Sequence, residues 1–239
     1  MWLSLLLACS ADERAPIPNA ASFALLELFT SQSCSSCPGA DQQLSVERAM
    51  ARMEGARVFT AAWHVDTWDG LGWVDPYSSP EATARQRRYA DVHDSRTYTP
   101  QLIVNGVDEM VGKNPPLIEL TVDGWLMEPA SAAVAPTAEV DGDEVRVALS
   151  VEGATSDEEL VVMLLQHGIV DDIPSGENAG RTLEEDSAVR AFATAPSDED
   201  EVTLRLPAGV ALQELEVLAI VQDPGSMEVR GAESVLLGP

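Results

Sequence analysis

The sequence predicts a mixed α/β chain in two parts, an α/β domain followed by an all-β domain of the sandwich kind. Three observations carry that prediction. Between Ser22 and Val65, two continuous apolar runs of strand length flank a stretch with helical spacing, which is the pattern of a βαβ unit. From Glu128 to Thr137 the residues become small and rich in Ala and Pro, as in a linker. Beyond it the hydrophobic period shortens to two, with turn residues between short runs. The expected boundaries are 1–21 for an N-terminal lead-in, 22–128 for the α/β domain, 129–136 for the linker and 137–239 for the β-sandwich-like domain. A chain of 239 residues accommodates two such domains at roughly 100–200 residues each.

Each element has its own justification. "SFALLELF", Ser22 to Phe29, is unbroken in its apolar character, as expected of a strand buried on both faces. "ADQQLSVERAMARM", Ala40 to Met53, places Leu44, Val46, Met50 and Met53 at helical spacing without a breaker. "ARVFTAAWHV", Ala56 to Val65, is a second buried strand. The turn-rich, aromatic segment that follows gives way to a helix over Pro80 to Val92 carrying Arg85, Arg87 and Arg88. "TYTPQLIVNGVDEMVG", Thr97 to Gly112, predicts two strands joined at Asn105-Gly106, since Asn-Gly suits the two positive φ angles of a tight hairpin. Pro115 opens a closing helix that runs to Met127. In the second half, "AEVDGDEVRVALSV" alternates about the Asp141-Gly142 turn, and "ELVVMLLQHGIV", "DEVTLRLP" and "ELEVLAIVQD" continue as strands.

The charge narrows the range of functions. Forty acidic against fourteen basic residues give a net charge of −26, and 45% of residues are hydrophobic. A surface this acidic repels phosphate backbones and anionic headgroups, so nucleic acid is not an expected partner. The amino terminus, "MWLSLLLACSADE", ends an apolar run at Leu6-Leu7-Ala8-Cys9. That run is far shorter than the about 20 residues a membrane span needs. It is similar to the end of a bacterial lipoprotein signal, with Cys9 as the residue to be lipidated, although a basic leading region is missing. The expectation is export to the periplasm or cell envelope with a lipid anchor at Cys9 and no transmembrane span. Two cysteines then remain, in a compartment that permits disulfides.

Those two lie in "FTSQSCSSCPGAD", Phe29 to Asp41, between the first strand and the first helix. A Cys-x-x-Cys pair there puts the first thiol near the unpaired amides of a helix N-terminus, which favour thiolate and can lower its pKa from about 8.5 to between 3.5 and 7.5. By this logic Cys34 is the outward nucleophile and Cys37 the thiol that resolves a mixed disulfide. Pro38 fits the first helical turn. A second segment supports this: "YTPQLIVNG", Tyr98 to Gly106, sets a proline directly before a strand. Enzymes of the thioredoxin fold carry a cis-proline in that place beside the cysteine pair, so Thr99-Pro100 is expected to be cis, with Thr99 presenting backbone to a substrate. The α/β domain is therefore expected to be thioredoxin-like.

Two other uses of the pair stay open. It could be a permanent short-loop disulfide that never turns over. It could also supply two thiolates to a metal; zinc would lack its full set of four ligands, and copper held by Cys34, Cys37 and His64 is the more credible form, with His93 a further candidate. His64 and Asp66 end the second strand, on the sheet edge where the cysteines sit, and could move protons during exchange. In "WHVDTWDGLGWVDP", Trp63 to Pro76, three of the five tryptophans crowd into a turn-rich loop. This loop is either a local apolar cap or a roof over the cysteines, with Trp68 and Trp73 gripping a peptide.

Taken together, "ELFTSQSCSSCPGAD", "HVDTWDGLGWVDPYSSPEATARQRRYA" and "YTPQLIVNG" resemble the bacterial family catalogued as domain of unknown function 1223. "GENAGRTL", "AVRAF" and "LAIVQDPGSMEVRGA" extend the resemblance into the second half. Gly39 and Thr67 depart from it, standing where proline and an aromatic residue are expected. The resemblance implies an exported protein of thioredoxin-like fold, with Cys34, Cys37 and Pro100 as its matching site residues, and it implies no activity. Glu177, Asn178 and Arg181 are expected to dock the second domain on the first, with a binding role as the alternative. The combined expectation is thiol–disulfide exchange with protein thiols or disulfides of the cell envelope, without a cofactor. The rivals are a non-catalytic scaffold and a Cu- or Zn-handling protein.

Overall fold

A computed structural model describes residues 20–238; the expected signal segment and Cys9 lie outside the described residues. The chain opens with β1 (Ala24–Thr30), buried at every position, then α1 (Pro38–Glu54) and β2 (Val58–His64). β1 and β2 pair in parallel, from Ala24 opposite Val58 to Thr30 opposite His64. A short 3-10 helix, Asp66–Leu71, precedes α2 (Pro80–Val92), whose N-terminus is capped by the Ser79 hydroxyl accepting from the Ala82 amide. β3 (Gln101–Val104) and β4 (Asp108–Val111) form the expected hairpin. Asn105 and Gly106 take φ of 48° and 75°, and a β-carbon on Gly106 would stand 1.9 Å from the Met227 carbonyl oxygen. Glycine is needed there for the turn and for the close approach. α3 (Pro115–Met127) closes the first half.

The second half contributes β5 (Ala133–Asp141), β6 (Glu144–Glu152), β7 (Glu159–Gln166), β8 (Ile169–Asp172), β9 (Thr182–Glu185), β10 (Ala188–Pro196), β11 (Glu201–Arg205), β12 (Leu215–Gln222) and β13 (Val229–Leu236). β5 begins inside the stretch expected to be linker, because Ala133 to Pro136 already pair with β6. Small residues and a proline read as a connector, yet they suit an outer strand, where an absent amide costs no ladder bond.

One sheet runs through both halves, in the order β13-β12-β7-β10-β2-β1-β3-β4. The join is narrow: β10 meets β2 in parallel at Ala188 opposite Ala62, and the Ala62 amide donates to the Ser187 carbonyl at 2.8 Å. Among the described residues two smaller antiparallel sheets accompany it, β11-β6-β5 and β8-β9. The expected second half was a separate sandwich. Here one of its layers is instead continuous with the α/β sheet.

The continuous apolar runs follow from burial on both faces, since alternate residues of a strand point opposite ways. Along β7, Val161, Met163 and Leu165 join one core with Leu25, Phe29 and Trp63 of the first half, under α2. Leu160, Val162 and Leu164 enter a second core against β5, β6 and β11. On the same side of the first half, Leu26 and Leu28 pack with Leu44 of α1 and Ile118 and Val122 of α3. Within the α2 core Glu27 is fully buried and is satisfied by Arg85 Nε at 2.7 Å, Trp63 Nε1 at 2.9 Å and the Tyr89 hydroxyl. Among the described residues no helix is long and apolar enough to cross a membrane.

Candidate functional site

The Cys34–Cys37 pair lies in the turn between β1 and α1 and forms a disulfide, with α-carbons 5.4 Å apart. Cys37 is the N-cap of α1, and Pro38 occupies the first turn, where a missing amide breaks no helical bond. The Ala40 and Asp41 amides donate to the Cys37 carbonyl at 2.7 and 3.2 Å. The expected outward thiol is not outward in this state: Cys34 is 2% exposed, and Ser35 and Ser36 form the surface. Thr99 covers it from one side, its hydroxyl donating to Cys34 Sγ at 3.2 Å, while Ser36 Oγ donates to the Thr99 carbonyl. The Thr99-Pro100 bond is cis.

The cover on the other side comes from the second half. Asn178 Nδ2 donates to the carbonyls of Gln32 and Cys34 at 2.8 and 3.1 Å, and Arg181 holds its Oδ1 at 2.8 Å. The Ser35 amide donates to Glu177 Oε2 at 3.1 Å, and its bonds to Ser35 hold that carboxyl below its usual range. The "GENAG" turn therefore docks on the cysteine loop. Gly176 makes this fit, with φ of 78° and room for a β-carbon only 3.0 Å from that of Trp73.

Behind the loop lies a buried polar cluster. His64 Nδ1 donates to Asp75 Oδ2 at 2.8 Å, and both side chains are buried. Burial works against the imidazolium, but Asp75, with Glu185 and Asp41 beyond it, pushes the His64 pKa up to about 9. Burial alone would raise the Asp75 carboxyl; His64 and the Gln32 and Tyr77 amides hold it below its ordinary value instead. Gln32 Nε2 bridges Glu185 and Asp171, each at 2.9 Å. Asp41, one turn into α1, accepts from the Thr30 hydroxyl at 2.6 Å. Burial, reinforced by the nearby Glu185 charge, pushes its pKa up to about 8, and burial raises Glu185 too.

The residues singled out from the sequence divide between site and scaffold. Cys34, Cys37, Thr99 and Pro100 come together. His64 belongs to the cluster behind them, paired with Asp75. Trp73 flanks the cysteine loop, its carbonyl accepting from Ser33 Oγ at 2.6 Å and its Nε1 donating to Gln32 Oε1 at 3.2 Å. Asp66 instead exchanges hydrogen bonds with Thr83 of α2, and Trp68 packs on the core under α2. His93 caps α2 and bonds the Gly106 carbonyl at 2.9 Å. Among the described residues no group of three or more His, Cys, Asp or Glu is arranged to hold a metal, and Cys34 and Cys37 are joined to each other as a disulfide. Sequence reasoning missed Asp41, Asp75 and Glu185. Asp41 carried a signal, lying one helical turn after Cys37; Glu185 carried none, because it arrives from a distant hairpin.

No curated protein matches the chain. A crystal structure of a protein from Agrobacterium tumefaciens is 28% identical, covering 91% of this chain and 96% of its own, with a TM-score of 0.67. HBP35 of Porphyromonas gingivalis shares the fold at a TM-score of 0.69 and 16% identity, over 91% of this chain and 76% of its own. The family described as Protein of unknown function (DUF1223) matches residues 25–222, and the chain belongs to that family.

Proposed function

We propose that this is an exported thioredoxin-like protein that exchanges thiols and disulfides with proteins of the cell envelope through Cys34 and Cys37. The observation that carries the reading is the placement of the pair: a disulfide at the N-terminus of α1, with Thr99, the residue before Pro100 and β3, bonded to Cys34 Sγ. The strand order β2-β1-β3-β4, with β3 antiparallel to β1, supports a thioredoxin-like unit over residues 22–128. The short apolar run before Cys9 supports export, and the second half serves to cover and present the pair.

In the reduced protein the Cys34 thiolate attacks one sulfur of a substrate disulfide, and the other sulfur leaves as thiolate. The Cys37 thiolate then attacks Cys34 Sγ in the mixed disulfide, releasing the second substrate thiolate and closing Cys34–Cys37. Two electrons pass to the substrate, and the reverse sequence oxidises a dithiol. The raised His64 and Asp41 pKa values make both groups candidates to carry the protons.

The test is the reduction potential of the pair together with the Cys34→Ser variant. A potential of about −270 to −120 mV and loss of exchange in the variant are expected. A rival has its own observation, the near-complete enclosure of Cys34 under Asn178 and Thr99, which suits a permanent staple. A potential below about −300 mV, with function intact in the variant, selects that rival.

A further inference from the structure

We infer that the cleft between α1 and the β8–β9 hairpin takes a cationic side chain, an arginine by preference, from the protein whose disulfide meets Cys34. The inference rests on the thiol–disulfide reading and adds a substrate class to it. The cleft has a volume of about 440 Å³ and begins at Pro38, the residue after Cys37. That volume lies within the about 300–1,000 Å³ typical of ligand sites. Its walls carry Asp41, Glu184, Glu185 and Asp186, with Ile169 and Leu183 between them to receive an alkyl stem.

Two of these acids are incompletely satisfied. Asp41 and Glu185 are 5% and 4% exposed, and Asp41 Oδ2 and Glu185 Oε1 have no hydrogen-bond partner among the described residues. Their other oxygens are fixed by Thr30 and Gln32, so the free ones belong to rigidly held groups. Burial pushes both carboxyls above their ordinary pKa values, with the negative charge of the rest of the cluster adding to it. The one basic residue of the lining, Arg181, is turned to Asn178 Oδ1, so the acids' counter-charge comes from the His64 imidazolium behind them and not from the cleft. A planar guanidinium offers paired N–H donors to both free carboxyl oxygens at once, and its charge would bring the raised Asp41 pKa down so that both bind it as carboxylates. The net charge of −26 favours encounter with basic proteins in general.

The experiment separates binding from chemistry. In full-length protein carrying Cys34→Ser and Cys37→Ser, a blocked Gly-Arg-Gly tripeptide is titrated and amide resonances are followed by NMR. Saturable shifts confined to the 38–45 and 168–186 segments are expected. The citrulline tripeptide, which lacks the charge, should bind at least about tenfold more weakly, as should the arginine peptide to Glu185→Gln. Glu184→Gln, at an exposed position, guards against misfolding of the buried variant and should weaken binding by about threefold. Equal shifts with arginine and citrulline, or shifts elsewhere, overturn the inference. Wild-type protein with Cys34 and Cys37 reduced is then given disulfide peptides flanked by arginine or by glutamate, and about tenfold faster exchange with the former is expected. Binding without exchange of either peptide removes the redox reading and leaves the cleft. Equal exchange of both without binding removes the cleft alone.

Discussion

Asp41 carries the most pH-sensitive contribution among the single residues of the site. Its folded pKa of about 8 lies above the ordinary 3.8, so the folded protein holds a proton across that window that the unfolded chain releases. Stability therefore falls as pH rises from about 4 to about 8. His64 acts in the same direction over a higher range. Its pKa of about 9 exceeds the ordinary 6.5, so the stability it lends is full below about 6.5 and is lost as pH climbs through about 9. Between pH 5 and 8.5 the wild-type protein should lose on the order of 5 kcal/mol, or about 10–20 °C in Tm. Asp41→Asn keeps an acceptor for Thr30 but cannot ionise, and its Tm should fall less over that interval in scanning calorimetry. An unchanged slope in the variant would refute the assignment.

Among the elements, α2 shows how a helix of polar appearance becomes central to the core. Arg85 is buried, donates to Glu27 and Gln222, and lies over the rings of Trp63 and Tyr89. Arg85→Ala would leave the Glu27 carboxylate buried without its counter-charge, which costs about 3–5 kcal/mol. Urea unfolding should report that loss, and pairing it with Glu27→Gln should recover part of it. The bounds of α2 and α3 were legible because prolines mark their starts and apolar spacing their extent. The Asn105-Gly106 hairpin was legible because the dipeptide names its own turn. Arg85 was not, since a basic residue on a helix reads as solvent-facing until its buried acid is found in another strand. The same holds for the site: Cys34, Cys37, Thr99 and Pro100 announce themselves locally, whereas Glu185 reaches the cluster only through tertiary packing. Trp68 and Asp66 misled because crowding along the sequence does not say which way a loop folds.

For the whole molecule, the decisive fact is the shared sheet. The α2 face of β1 and β2 packs on Val161, Met163, Leu218 and Ile220 from the second half. A fragment of residues 20–128 would expose that apolar face and the outer edge of β2. It should be insoluble, or lack near-UV circular dichroism, while the full chain unfolds in one transition. A soluble fragment with cooperative unfolding would show instead that the halves fold alone. The change of hydrophobic period along the chain marks where helices give way to strands, but it contains nothing about Ala188 meeting Ala62, because a single pairing leaves no periodic trace.

The Asn178 contact also sets a schedule. Asn178 follows Cys34 by 144 residues, so the carbonyl it clasps is made long before its partner exists. At about 5–20 residues per second that interval is on the order of 10 s of synthesis. During it the two cysteines lack the cover that Asn178 supplies in the finished fold. The finished protein encloses the bond; the growing chain carries its two cysteines without that cover until Asn178 has been made.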